Sequence, residues 1–228
     1  MTVAYDIVVK GNNLAMRDGF LALANATLVF TPDGPVLFDT GHYCNRLALL
    51  KGLAGHGMTP ADVKAVFLSH LHFDHCHNID LFADARVYVS KREWEYAKAP
   101  HPDDPFVPWL IHEQLQKHTV EFLDGEGRIC DGVRYFPAPG HTPGSYALDL
   151  DAGSRGRVVI AGDAIKYAKE TLTCRCDMGF DEPETGTATI KKIVGMADRI
   201  VPGHFPEMTK TDGVLTWDEA AEFPLLVR

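Results

Sequence analysis

Residues 65–75 read Ala65-Val66-Phe67-Leu68-Ser69-His70-Leu71-His72-Phe73-Asp74-His75. The first four form a short apolar run, which predicts a strand buried on both faces. Beyond Ser69 lies a dense set of imidazoles and a carboxylate, the donors that zinc and similar divalent cations accept. In an extended segment residues two apart project to the same side, so His70 and His72 can grip one ion. Asp74 and His75, where the chain turns into a helix, face a neighbouring ion. The chain has only 11 histidines, so chance is a poor explanation for three of them and an aspartate in this one segment.

Working outward, apolar strand-like runs also precede Asp39, Asp163 and His204. Val36-Leu37-Phe38 runs into Asp39, Val158-Val159-Ile160-Ala161 leads to Asp163, and Arg199-Ile200-Val201 leads to His204. Further strands are predicted at Ile7–Val9, Thr27–Phe30, Val87–Val89, Val120–Leu123, Val133–Phe136 and Tyr146–Leu150. Helices are predicted over Leu47–Leu53 and Lys91–Lys98, after the Thr59-Pro60-Ala61-Asp62 start signal, from about Asp181 to Met196, and over Trp217–Glu222. The chain thus has two β-rich halves, each carrying helices. Strand ends converging on one edge would bring His70, His72, Asp74, His75, His141, Asp163 and His204 into one cleft. Between the halves, His101-Pro102-Asp103-Asp104-Pro105-Phe106-Val107-Pro108 is too rich in proline for regular structure, and predicts a covering loop or a plain surface connection.

Length and composition bound the rest. The 228 residues, 46% hydrophobic and 23% charged, suffice for one substantial core, and no linker divides them, so a single domain over 1–228 is expected. The formal net charge of −9 argues against a nucleic-acid backbone as main partner. The start, Met1-Thr2-Val3-Ala4-Tyr5-Asp6, lacks the features of a signal peptide, and no apolar stretch is long enough for a bilayer, so a cytoplasmic location is expected. Five cysteines, at 44, 76, 130, 174 and 176, are odd in number and fit a reducing compartment. Cys174 and Cys176 read as partly buried thiols beside the site, since two thiolates alone do not close a tetrahedral zinc site.

His70-x-His72-x-Asp74-His75 resembles the signature of the metallo-β-lactamase superfamily, and further motifs come in that family's order: Val36-Leu37-Phe38-Asp39-Thr40-Gly41, Pro139-Gly140-His141-Thr142-Pro143-Gly144-Ser145, Ala161-Gly162-Asp163 and Pro202-Gly203-His204. The resemblance spans nearly the whole chain. It implies an α+β fold, an αββα sandwich of two face-to-face sheets with helices outside. It also implies a ligand set for two divalent metal ions, most simply Zn2+, with Mn2+ or Fe also accepted by such donors. In that set His70, His72 and His141 hold one ion, Asp74, His75 and His204 the other, and Asp163 bridges them. Asp39 is read either as orienting a ligand histidine or as capping a turn.

Two cations outweigh two carboxylates, a field that makes hydroxide available near neutral pH for attack on an acyl carbon, with Asp74 able to pass a proton to the leaving group. The implied function is hydrolysis of a small ester, lactone or amide. Phosphodiester hydrolysis, and iron-dependent oxygen or sulfur redox chemistry, are the alternatives. Asp163 stands where β-lactam-cleaving members carry cysteine or serine, and only 24 residues lie beyond His204, too few for the helical extension of glyoxalase II. The nearer resemblances are to N-acyl homoserine lactone lactonases and to small metallo-β-lactamase-domain proteins. In the lactonases a tyrosine beyond the bridging aspartate polarises the carbonyl. Tyr167 is the candidate here, with Lys166 at the position where the tyrosine is expected. Candidate substrate contacts are His42, Phe106, Trp109, His112, Lys166 and Tyr167, whereas His77 reads as an exposed helix histidine. The expected partner is a small molecule, without membrane or nucleic acid, and a homodimer is compatible with the sequence.

Overall fold

A computed structural model describes residues 2–217. The first half runs β1 (Ala4–Val9), a two-strand ribbon of β2 (Ala15–Met16) and β3 (Gly19–Phe20), β4 (Ala26–Thr31), β5 (Gly34–Phe38), α1 (Arg46–Gly55), β6 (Ala65–Phe67), α2 (Phe73–Cys76), β7 (Arg86–Ser90), α3 (Lys91–Tyr96), α4 (Ile111–Leu115) and β8 (Thr119–Leu123). The second runs β9 (Gly127–Cys130), β10 (Val133–Pro137), β11 (Tyr146–Asp151), β12 (Arg157–Gly162), α5 (Ala168–Thr173), α6 (Pro183–Met196), β13 (Arg199–Pro202), β14 (Met208–Thr211) and β15 (Val214–Thr216). One six-stranded sheet has the order β1-β4-β5-β6-β7-β8, and one seven-stranded sheet the order β15-β14-β13-β12-β11-β10-β9.

Strand periodicity explains the four layers. Along β4 and β5, Val29, Val36 and Phe38 point between the sheets, where they meet Phe67, Tyr146, Leu148, Leu150, Val158, Ile160 and Val201. The alternate residues Leu28 and Leu37 point the other way, against Leu49 and Leu53 of α1 and Ile111 and Leu115 of α4. In the second sheet Ala147, Val159, Ala161 and Ile200 face outward onto Ile190 and Ile193 of α6. The central strands are therefore covered on both faces, which is why their sequences read as continuous apolar runs. Phe38 and Phe67 stack between the sheets at 5.5 Å between ring centres. The α+β sandwich expected from the sequence is the observed fold.

Helix ends obey local chemistry. Ser90 caps α3 by accepting from Glu93 N–H, and α6 begins on Pro183 with Glu184 in its first turn, favourable for the positive end of the helix. Helix α3 stops at Tyr96, two residues short of the expected Lys98, because Pro100 bars continuation. The Thr59 signal produces only a 3-10 turn over Pro60–Asp62. The helix expected over Trp217–Glu222 falls, after its first residue, outside the described residues. Among the described residues no helix is long and apolar enough to cross a membrane.

Strands β5, β6, β7 and β8 run parallel, as do β12 and β13. The carboxyl ends of β5, β6, β12 and β13 lead into the segments bearing Asp39, His70–His75, Asp163 and His204. A backbone hydrogen bond of 2.9 Å from Tyr146 N to Ser69 O ties the start of β11 to the histidine segment across the two sheets.

Candidate metal centre

Seven side chains from four chain segments meet at this edge, and all are buried. His70, His72 and His141 offer donor atoms within 4.8 Å of one another, as do His70, His75 and Asp163, and likewise Asp74, His75 and His204. The clusters share His70, His75 and the neighbourhood of Asp163, whose Oδ1 lies 3.2 Å from both His75 Nε2 and His204 Nε2, and whose Oδ2 lies 3.4 Å from His141 Nε2.

Each imidazole has one nitrogen already engaged. Ser69 Oγ donates to Asp39 Oδ2, so His70 Nδ1, 2.9 Å away, donates to Ser69 Oγ. His72 Nε2 donates to Asp104 Oδ2 at 3.0 Å, His75 Nδ1 to Asp39 Oδ2 at 2.7 Å, and His141 Nδ1 to Met178 O at 2.8 Å. His204 Nδ1 is 3.1 Å from the carbonyls of Asn12 and Leu23. The opposite nitrogen in each neutral ring is then a lone pair aimed inward. His72 Nδ1 and His141 Nε2 face each other at 3.0 Å. Two lone pairs at that distance repel unless a cation lies against them. His70 Nε2, His75 Nε2 and Asp163 Oδ1 are buried with no hydrogen-bond partner. The donor set therefore fits divalent cations, which replace the missing partners.

The electrostatics divide the site. Burial pushes His70 and His141 well below the usual imidazole range, leaving them neutral, the form that binds a metal. Burial also pushes His75 and His204 down, but nearby carboxylates, Asp163 foremost, outweigh it and hold both up. Burial pushes Asp163 up, yet His204, His75 and His141 hold it well below the ordinary carboxylate range.

The backbone is built to allow this approach. A Cβ at Gly203 would sit 2.0 Å from Asp163 Oδ1, so only glycine admits the carboxylate beside His204. Asp39 adopts a left-handed φ of 58°, costly by about 1–3 kcal/mol for a residue with a side chain, and its carboxylate offsets this by binding Ser69 N, Ser69 Oγ and His75 Nδ1. Of the two readings for Asp39 the carboxylate follows the first: it holds His75 Nδ1 and anchors Ser69 from 30 residues away rather than capping its own turn.

Beside the cluster is a cleft of about 320 Å³ lined by Phe20, Phe73, Phe106, Lys166, Tyr167 and Met178, with His72, Asp74, His141, Asp163 and His204 at its floor. The structure thus brings Phe106, Lys166 and Tyr167 to the cleft. Tyr167 OH donates to Asp177 Oδ2 at 2.5 Å, and Lys166 Nζ is paired with buried Glu170 at 2.9 Å. Three expected contacts do not line this cleft. Trp109 is 91% exposed, and His112 turns its ring onto Trp94 and its Nε2 to Trp94 O at 2.9 Å. His42 Nδ1 accepts from Cys44 N, and its ring rests edge-on against Phe73. His77, expected to be exposed, is half-buried and stacks on Tyr43 at 4.8 Å. Cys176 lies 3.8 Å from Lys166 Nζ, and burial pushes its thiol up to about 11.

The sequence reading missed Asp104, Ser69, Phe20 and Phe180. Phe180 packs its ring 5.7 Å from His72 and 5.8 Å from His141. Asp104 had a usable signal, an aspartate in the loop already suspected of covering the site.

The family model for the Metallo-beta-lactamase superfamily matches residues 20–204. Metallo-beta-lactamase domain-containing protein 1 of Xenopus laevis is 30% identical over 196 residues, covering 86% of this chain and 74% of the frog protein. An N-acyl homoserine lactonase of Bacillus thuringiensis is 25% identical over 217 residues, covering 81% of this chain and 82% of its own. Among solved structures, a variant of the B. thuringiensis lactonase AiiA with N-decanoyl-L-homoserine bound at its active site superposes with a TM-score of 0.70. It is 21% identical and covers 90% of this chain and 94% of that one, a likeness of fold.

Proposed function

The chain belongs to the metallo-β-lactamase superfamily and is a metallo-hydrolase, and from that premise we propose that it is a dinuclear enzyme cleaving a small lactone or ester, with amides as a further class. His70 Nε2, His72 Nδ1 and His141 Nε2 would hold one ion and Asp74, His75 Nε2 and His204 Nε2 the other, with Asp163 shared between them. Zinc suits this set of imidazoles and carboxylates. When bound, the pair of cations polarises an acyl oxygen and acidifies a water so that hydroxide is available near pH 7.

The observation that carries this reading is the approach of His72 Nδ1 and His141 Nε2 to 3.0 Å, each ring having its other nitrogen engaged, beside the partnerless Asp163 Oδ1. The protein's own groups do the rest. Asp74, on the cleft floor and 3.4 Å from His204 Nε2, accepts a proton and returns it to the leaving oxygen. Phe20, Phe106 and Met178 give the apolar part of a substrate a wall to bury against and keep water from it. Tyr167, on the cleft lining with its hydroxyl held by Asp177, orients the substrate. Lactone or ester substrates are further supported by the similarity to the lactonase. A phosphodiester is the second reading, supported by Lys166 and Lys169 on the cleft wall.

The test is metal analysis of the purified protein, then assays on lactones, esters, thioesters, anilides and phosphodiesters, with His72→Ala as control. Lactone or ester turnover lost in His72→Ala is expected. Turnover confined to phosphodiesters would replace the first reading by the second.

A further inference from the structure

Among the described residues, helix α3 holds the three-histidine cluster from behind, through groups far from the metal motif in sequence. Glu93, fully buried, accepts from Leu71 N at 3.0 Å, between two of the histidines, and from Thr142 Oγ1 at 2.7 Å and Gly144 N at 3.2 Å in the His141 loop. One turn further, Tyr96 OH donates to Asp104 Oδ2 at 2.6 Å. Asp104 Oδ1 accepts from Phe106 N at 3.0 Å, and Phe106 O accepts from Phe73 N at 3.0 Å. The proline-rich loop is thereby pinned to the histidine segment. Its one carboxylate facing the site, Asp104, accepts the Nε2 proton of His72, with side-chain exposures of 0% and 4%.

We propose that Asp104, held by Tyr96, is a positioning residue that fixes His72 as an Nδ1 ligand and couples the cleft wall to the three-histidine cluster. A carboxylate with three donors on it can only accept, so His72 must carry its proton on Nε2 and present its lone pair at Nδ1. The same loop carries Phe106, whose ring lies 5.5 Å from His72 and lines the cleft. A displacement of the wall at Phe106 therefore turns the imidazole, and loss of the Asp104 acceptor frees both. Among the described residues Asp104 makes no hydrogen bond to the Asp74, His75 and His204 cluster, where Asp39 holds His75 and the carbonyls of Asn12 and Leu23 hold His204. The effect is thus confined to one of the two ions. This inference rests on the two-ion reading above.

The experiment is a Zn2+ titration of the metal-stripped full chain against a chromophoric chelator, for the parent, Asp104→Asn, Asp104→Ala and Tyr96→Phe. Thermal unfolding of each stripped protein is recorded in parallel. Asp104→Ala is expected to weaken one of two ions by about 10–100-fold and leave the other unchanged. Asp104→Asn, which keeps an acceptor oxygen without the charge, should fall between, and Tyr96→Phe should weaken the same ion by less than about tenfold. With Co2+ in place of zinc, the visible spectrum of the affected site should shift in both Asp104 variants. Equal weakening of both ions with a matching loss of stripped-protein stability would reduce Asp104 to a structural role and overturn the proposal. So would unchanged affinity for both. If Asp104→Ala fails to fold, Asp104→Asn alone decides by the same criteria. A parent protein that binds a single ion would sink the two-ion reading, while the Asp104→Asn shift for that ion would still judge the positioning role.

Discussion

The two candidate ligand clusters sit side by side yet are held by different means. His70, His72 and His141 donate outward to Ser69, Asp104 and Met178, and carry no carboxylate of their own. Asp74, His75 and His204 contain one carboxylate and draw charge from Asp163 and Asp39. The first cluster thus depends on orientation, the second on charge. Orientation is fragile to the loss of a supporting group and indifferent to salt, whereas a charged cluster tolerates a small displacement because Coulomb attraction falls off slowly with distance.

Asp163 lies against both clusters, 3.2 Å from His75 and His204 and 3.4 Å from His141, so its loss should have the largest effect. Asp163→Ala is expected to lower turnover by on the order of a thousandfold or more and to reduce bound metal at both clusters, read by kinetics and elemental analysis. His70→Ala and His204→Ala should separate the clusters, each removing about one metal equivalent and at least about a hundredfold in rate. Equivalent loss from both clusters in either variant would dissolve the distinction. Asp39→Asn comes next: it touches His75 directly and His70 through Ser69, so metal affinity should fall by about 10–100-fold with both clusters affected, unlike Asp104→Asn.

Two smaller effects test the surroundings rather than the ligands. Leu148→Ala, between the sheets, should cost about 2–5 kcal/mol in denaturant unfolding while leaving the metal content of the folded protein at the parent value. Phe106→Ala should raise KM for substrates with an apolar tail by about 10-fold, with a smaller change for truncated substrates.

The same division explains what could be read from the sequence. The doubly covered strands announce themselves as apolar runs, because both faces of β5, β6, β11 and β12 need side chains for a core. The candidate ligand histidines stand beyond strand ends within short motifs, where local spacing carries the information. The short strands β2, β3, β9, β14 and β15 have no such pattern, since their pairing is decided by neighbours rather than by their own residues. Asp104 meets His72 from 32 residues away, and the packing of His112 on Trp94 depends on how α3 and α4 abut. Those contacts are tertiary, and one-dimensional spacing does not encode them. Trp109 is among the candidate substrate contacts, yet its ring is 91% exposed, and Phe106 and Phe20 line the cleft instead.

The central claim is a two-ion centre built on His70, His72, Asp74, His75, His141, Asp163 and His204. The most direct measurement is the metal content and hydrolytic activity of the purified parent beside His72→Ala. Two divalent ions per chain in the parent, about one in His72→Ala, and lactone or ester hydrolysis present in the first and absent in the second are the expected results. Less than one ion per parent chain, or hydrolysis that survives the substitution, would contradict it.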